Sequence, residues 1–366
     1  MSARPAGPLP PGCFGKLPAA ADFVSHNAGS REALAFADWL REGVALAHGR
    51  LAERWGAMFR AAPEHRFVFW RAAPQSLLVG TLSPSADRSG RLFPFCVFLA
   101  GPAAAFDGAL CALPAACDRF FDEASRIAAL RGAPAAPGAP ASPQDAAADV
   151  AGLAARVEAL AALAPGAGAG AGGAASAGAG AAAGAPAAVA SRARDLVGGR
   201  TIGDLNAALG GGAESGAAHR VAANLMALAP RFAASGQSAS GLTLRFPLPA
   251  AGPDSLPALT FWLELVERSL GRAEGFPVLF WSRPAGGLRG HLDVSFRTPA
   301  AGAFLHLVDP DLRSDALYPL AEEEAPPSRA PDRPGGEALA KLSDPSLALA
   351  DALDAIPGRG SPRPAN

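Results

Sequence analysis

The chain has 366 residues, half of them hydrophobic and 18% charged, enough for one large domain or two small ones with a real core. Thirty-two basic residues against thirty-three acidic give a net charge of −1, which rules out the basic surface of a protein that binds nucleic acid by neutralising phosphates. The same balance argues against a polyanionic tail or a polybasic membrane anchor.

Residues 1–11 read as a disordered Pro-rich tail with no secretory signal. Gly12-Cys13-Phe14-Gly15-Lys16-Leu17-Pro18 reads as a short strand leaving through a proline turn. Ser30 can cap a helical stretch in which Phe36, Leu40, Val44, Ala47, Leu51, Trp55 and Met58 share one face, with Gly43, Gly49 and Gly56 as points of weakness and Pro63 as its end. Three strand-like runs follow, His65–Arg71, Leu77–Leu82 and Phe93–Leu99. Their continuous apolar character suits strands covered on both faces. Helices are expected from Pro114, with Phe120, Phe121, Ala124 and Ile127 inside, and over Gln144–Leu163. Ala159–Ser191 carries no charge, but its Ala/Gly content makes a linker a better reading than a membrane span. Helices then read at about Arg192–Leu209, Ala217–Phe232 and Leu256–Leu270, and strands at Leu242–Phe246, Phe276–Trp281 and Leu288–Phe296.

Strands on both sides of the linker predict one composite α/β unit: a three-layer α/β/α sandwich with a mixed central sheet. Residues 12–163 would form its N-terminal region, 164–190 the Ala/Gly linker and 191–320 a C-terminal region packing on the first. Residues 321–366, with the run Glu322-Glu323-Glu324 and several prolines, read as a disordered tail with room for a short helix at Asp344–Leu353.

A search for catalytic or metal-binding patterns fails at each candidate. Gly15-Lys16 lacks the upstream glycine and following hydroxyl of a phosphate loop, since Pro10 and Leu17 hold those positions. Gly236-Gln237-Ser238-Ala239-Ser240 misses the final glycine of a nucleophile elbow. The six histidines show no ligand spacing, and Asp309/Asp311 and Asp351/Asp354 do not form a sheltered acid/base pair. Four cysteines (Cys13, Cys96, Cys111, Cys117) without a CxxC pair make neither a disulfide nor a zinc framework, so a reducing cytoplasm is the expected compartment. No enzyme, no metal and no cofactor is expected.

Polar residues set among apolar ones stand out instead. Lys16 and Asp22 flank the Leu17-Pro18 turn, and Asp87, Arg88 and Arg91 crowd the connection before Phe93. One reading is structural, with Asp87 capping its loop backbone and an arginine pairing with Asp22 or Asp87. The other makes the five a docking surface on a rigid sheet edge, with arginines suited to a partner's carboxylate or phosphate.

These two runs resemble the signature of the type VI secretion-associated TagF/ImpM family. Gly12-Cys13-Phe14-Gly15-Lys16-Leu17-Pro18 followed by Asp22-Phe23-Val24 is similar to its opening pattern, and Trp39 to the tryptophan of its first helix. Pro84-Ser85-Ala86-Asp87-Arg88-Ser89-Gly90-Arg91-Leu92-Phe93-Pro94 is similar to its second run, so the likeness spans about residues 12–130. Cys13 departs from the usual aromatic and Ala21 from the usual glycine. In this resemblance Gly12, Phe14, Gly15, Pro18, Phe23, Trp39, Gly90, Phe93 and Pro94 are the motif or structural positions. The resemblance implies a three-layer α/β fold, no catalysis, and a cytoplasmic regulator that represses the secretion apparatus by binding a forkhead-associated scaffold protein. Neither nucleic acid nor direct membrane insertion is expected. The alternatives are a small-molecule or nucleotide-binding enzyme using the Gly15-Lys16 turn, and a structural component of the apparatus.

Overall fold

Strands that are apolar on both faces need cover on both sides, and the sheet of this protein has it. The computed structural model describes residues 10–70, 76–102, 110–129, 152–164, 193–235, 241–250, 252–271, 277–283, 289–322 and 336–356. Among the described residues, nine strands form one sheet in the order β2-β1-β5-β4-β3-β7-β8-β6-β9. They are β1 (Pro11–Lys16), β2 (Phe23–His26), β3 (Glu64–Phe69), β4 (Ser76–Ser83), β5 (Phe95–Pro102), β6 (Thr243–Leu248), β7 (Val278–Arg283), β8 (Gly290–Ser295) and β9 (Leu317–Pro319). All neighbours run antiparallel except β6 and β9, so the sheet is mixed. The two halves of the chain meet where β3 pairs with β7, with Phe67 opposite Phe280. The expected composite α/β sandwich is the observed architecture.

One face is covered by helix α1 (Arg31–Leu51), helix α2 (Trp55–Ala61) and the turn at Ala301–Val308. Ser30 caps α1 by accepting from the Ala33 amide at 3.1 Å. Its buried stripe of Phe36, Trp39 and Leu40 packs on Phe67, Phe69 and Phe280. The expected continuous helix breaks, but not at a glycine. The break comes at Ala52, whose φ of 47° lies in the left-handed region, and a short 3-10 turn leads into α2. Gly43 serves close packing: a Cβ there would stand 2.6 Å from Cβ of Phe304.

The other face is covered by helices Asp118–Ala129, Ala217–Ser235 and Ser255–Leu270, and by residues 152–159 and 193–198. The single helix expected over Arg192–Leu209 is two. Gly198 and Gly199 interrupt it, and Thr201 restarts it with a capping box. Thr201 Oγ1 accepts from the Asp204 amide at 3.1 Å, and Asp204 Oδ2 accepts from the Thr201 amide at 2.9 Å.

Two boundaries need correction. The tail expected over residues 1–11 is already strand at Pro11, which pairs with Leu99. The tail expected over 321–366 contains two packed helices, Gly336–Lys341 and Leu349–Asp354. Leu342, Leu349, Leu353 and Ile356 are buried on the core, and the Leu349 amide donates to the Arg200 carbonyl at 2.8 Å. Burial of these four apolar side chains outweighs the acidic, proline-rich composition that surrounds them. The Ala/Gly linker, apart from Ala164, and Gly236–Ser240 lie outside the described residues.

Candidate functional site

The two polar runs meet at the β2 end of the sheet. β1 ends at Lys16, and the chain turns at Leu17–Ala20 before returning as β2, the outermost strand. The loop 84–94 folds over this turn. An Ala86–Leu92 bridge closes its neck, and the Arg88 amide donates to the Ala20 carbonyl at 2.8 Å. Gly90 takes a φ of 82°, which a turn closed by its amide on the Asp87 carbonyl requires. Gly15, at φ 137°, lets β1 approach β5: a Cβ there would lie 2.1 Å from the Pro94 carbonyl oxygen.

Asp87 is the centre of the assembly. Its Oδ1 accepts from the Ser89 and Arg91 amides, each at 2.9 Å. Its Oδ2 accepts from Lys16 Nζ at 3.0 Å and from Arg91 Nε at 2.6 Å. Arg91 also donates to the Ala21 carbonyl at 2.7 Å, which ties the loop to the first run. Burial pushes the Asp87 carboxyl up, but Lys16 and then Arg91 more than offset this and hold it at about 2. Above this polar knot Phe14, Phe23 and Phe93 form an aromatic cluster with centroids 4.9 to 5.8 Å apart. Lys16 Nζ lies 5.2 Å from the Phe23 centroid.

This geometry divides the five candidate docking residues. Lys16 and Asp87 are buried, with side chains 9% and 0% exposed, so they are corrected to a structural pair that a partner cannot touch. Asp22, Arg88 and Arg91 are exposed. Asp22 accepts from the next amide, that of Phe23, while Arg91 is committed to Asp87. Arg88 makes no side-chain ion pair among the described residues. Phe23 is 41% exposed and joins them as an apolar contact. Gly12, Phe14, Gly15, Phe93 and Pro94 pack the interior of this unit, and Gly90 shapes its turn. Pro18 is half-buried in the turn. Trp39 sits in the core, its Nε1 donating to the Pro299 carbonyl at 3.0 Å. Ala21 is not among the described residues with positive φ, so the departure from glycine there carries no strain.

Lys16 is buried and engaged by Asp87, which removes support from the Gly15-Lys16 nucleotide reading. All four cysteines are free and buried. Burial pushes the thiols of Cys13, Cys111 and Cys117 up to about 12, far from nucleophilic poise. Among the described residues, no group of three or more His, Cys, Asp or Glu could hold a metal ion, and no helix is long and apolar enough to cross a membrane.

A second buried polar group escaped the sequence reading. Arg245 on β6 and Asp293 on β8 form a two-pronged pair, both contacts at 2.7 Å, and Arg245 also donates to the carbonyls of Pro310 and His306. His65, His291 and His306 surround it. Its signal was present in the sequence as charged residues in the middle of apolar strand runs. Burial is the main cause that lowers all three imidazoles, His65 to about 3, with neighbouring positive groups adding to it. The unfolded chain takes up these protons near pH 6.5, whereas the folded chain resists them until lower pH. Stability is therefore fully present above pH 6.5 and falls on acidification, for His65 down to about pH 3, by up to about 1.4 kcal/mol per pH unit while each histidine stays neutral in the folded chain. Denaturant unfolding at pH 7.5, 6 and 5 checks this, and the slope is expected to shrink in His65→Gln.

No curated protein matches the chain. Among solved structures, the crystal structure of PA0076 from Pseudomonas aeruginosa PAO1 is 26% identical over 39% of this chain and 62% of that one, with a TM-score of 0.32, too low to carry an argument. The chain thus spans less than two thirds of that protein's length. Residues 12–139, which contain both motif runs and the Asp87 knot, match the family model of the TagF N-terminal domain, type VI secretion system-associated. With the motif residues in place, residues 12–139 are a TagF N-terminal domain, type VI secretion system-associated.

Proposed function

We propose that this protein is a non-enzymatic, cytoplasmic regulator that represses type VI secretion by binding a forkhead-associated scaffold protein. The observation that carries the reading is the exposed rim beside β2. Phe23 is held 41% exposed over a fully engaged polar knot, with the exposed charges of Asp22 and Arg88 at its flanks. A rigid base under an aromatic anchor and an arginine is the composition that concentrates binding energy at protein interfaces. The Lys16–Asp87 pair orders the rim before a partner arrives, which lowers the entropic cost of binding.

The experiment is a calorimetric titration of the full chain with a forkhead-associated scaffold protein of a type VI secretion system from the same organism. Binding in the micromolar range or tighter is expected. Phe23→Ser combined with Arg88→Glu is expected to weaken it by about tenfold or more, as loss of hot-spot contacts does, in a chain that still folds and loses only the melting temperature that removing Phe23 from its cluster with Phe14 and Phe93 costs. Unchanged affinity in the folded double variant moves the docking surface elsewhere. No heat with the wild-type chain removes this partner.

A further inference from the structure

On the α1 side the sheet face changes character beyond β7. Phe280 ends the aromatic packing, and β8 and β6 continue the same face with Asp293, Ser295, Thr243 and Arg245. A cavity of about 740 Å³ opens over Phe280, Asp293, Ser295 and Thr243. That volume falls within the roughly 300–1,000 Å³ of small-molecule sites.

The cavity is built by specific ties. Trp39 Nε1 holds the Pro299 carbonyl, Thr298 Oγ1 donates to the Trp70 carbonyl at 2.6 Å, and Arg245 holds Pro310 and His306 through their carbonyls. These bonds fix the segment 298–310 against both α1 and the sheet. The lining divides by chemistry. Phe280, Leu305 and Leu312 supply an apolar wall. Thr243 and Ser295, with hydroxyls 2.7 Å apart, supply a polar floor.

Charge decides what such a site accepts. Asp293 is the one acidic residue in the lining, and Arg245 occupies both of its oxygens. Against it stand Arg50, Arg297 and Arg313, all exposed. Arg313 is bonded to Glu322 at 2.6 Å, whereas Arg50 and Arg297 have no ion-pair partner among the described residues. The lining therefore carries uncompensated positive charge next to apolar surface.

We propose that this cavity binds a small organic anion, its carboxylate or phosphate group at Arg50 and Arg297 and its apolar body against Phe280, Leu305 and Leu312. Arginine forks suit both oxyanions, and a cation would meet only a carboxylate that is already neutralised. Apart from Trp39, Leu46 and Arg50 of α1, the lining comes from residues beyond the matched domain, so the site gives the C-terminal half a role separate from the docking rim.

The test titrates phenyl phosphate and benzoate into the full chain, with benzyl alcohol as the neutral counterpart, by calorimetry and ligand-observed NMR. At least one anion is expected to bind about tenfold or more tightly than benzyl alcohol, and the tighter anion identifies the head group. Binding is expected to weaken by about tenfold in Arg50→Gln/Arg297→Gln, whose exposed positions leave folding intact, and to weaken at about 0.5 M salt. Three results would each overturn the proposal: no binding by either anion, equal binding of benzyl alcohol, or unchanged affinity in the folded double variant. Scaffold binding by the same double variant should match wild type, which separates this site from the rim.

Discussion

Asp87→Asn is expected to destabilise the protein by about 3–5 kcal/mol, the usual cost of stranding one partner of a buried ion pair. Asparagine keeps the size of the side chain and can still accept from the Ser89 and Arg91 amides through Oδ1. What it removes is the charge opposite Lys16, whose side chain is 9% exposed and so has little access to water. The melting temperature should fall by about 5–10 °C for a chain of this size. Lys16→Met/Asp87→Asn should recover most of the loss, because it removes the stranded ammonium together with its counter-charge. Thermal unfolding of the two variants separates a structural pair, with its rescue, from a docking pair, which would leave folding alone. In acid the wild-type contribution of Asp87 should persist until low pH. Its folded pKa of about 2 lies below the ordinary carboxyl value of 3.8, so its stabilisation is lost only as pH falls through that interval.

Arg245→Leu should have an effect of similar size at the opposite end of the sheet. It leaves Asp293, which is 4% exposed, without its partner and frees the Pro310 and His306 carbonyls. A loss of about 3–5 kcal/mol at pH 7.5 is expected, measured by denaturant unfolding. The pH dependence gives this variant a signature. Arg245 is among the causes that hold His291 and His306 neutral, and His291 Nε2 lies 3.9 Å from Asp293 Oδ2. Without the guanidinium, His291 can protonate and pair with Asp293. The variant should therefore lose less stability between pH 7 and pH 5 than wild type does. A parallel loss in both proteins would show that Arg245 does not govern the histidines.

Much of the sheet was legible because its central strands are long apolar runs. β3, β4, β5 and β7 need cover on both faces and leave little choice of layer. The edge strands were not legible. β2 alternates exposed and buried positions over only four residues, and β9 has three residues and no buried one, so neither carries an apolar run. The packed helices beyond residue 335 were hidden by the prolines and glutamates before them. At the site, the sequence brought the right residues together but not their burial. Lys16 and Asp87 look as polar as Arg88 on the page, and only the fold of loop 84–94 over the β1 turn places one pair inside and leaves the other residue out. The Arg245–Asp293 pair was missed for the opposite reason: each charge sits alone in its strand, and their adjacency exists only across the β6–β8 register.

Docking of the scaffold on the face formed by Asp22, Phe23 and Arg88, as proposed, is tested most directly by hydrogen–deuterium exchange of the full chain with and without saturating scaffold. The account predicts slowed exchange in the amides of β2 and of loop 84–94, with the outer helices Ala217–Ser235 and Ser255–Leu270 unchanged. Protection confined to those helices or to the β9 edge, with the rim exchanging as in the free protein, would contradict it.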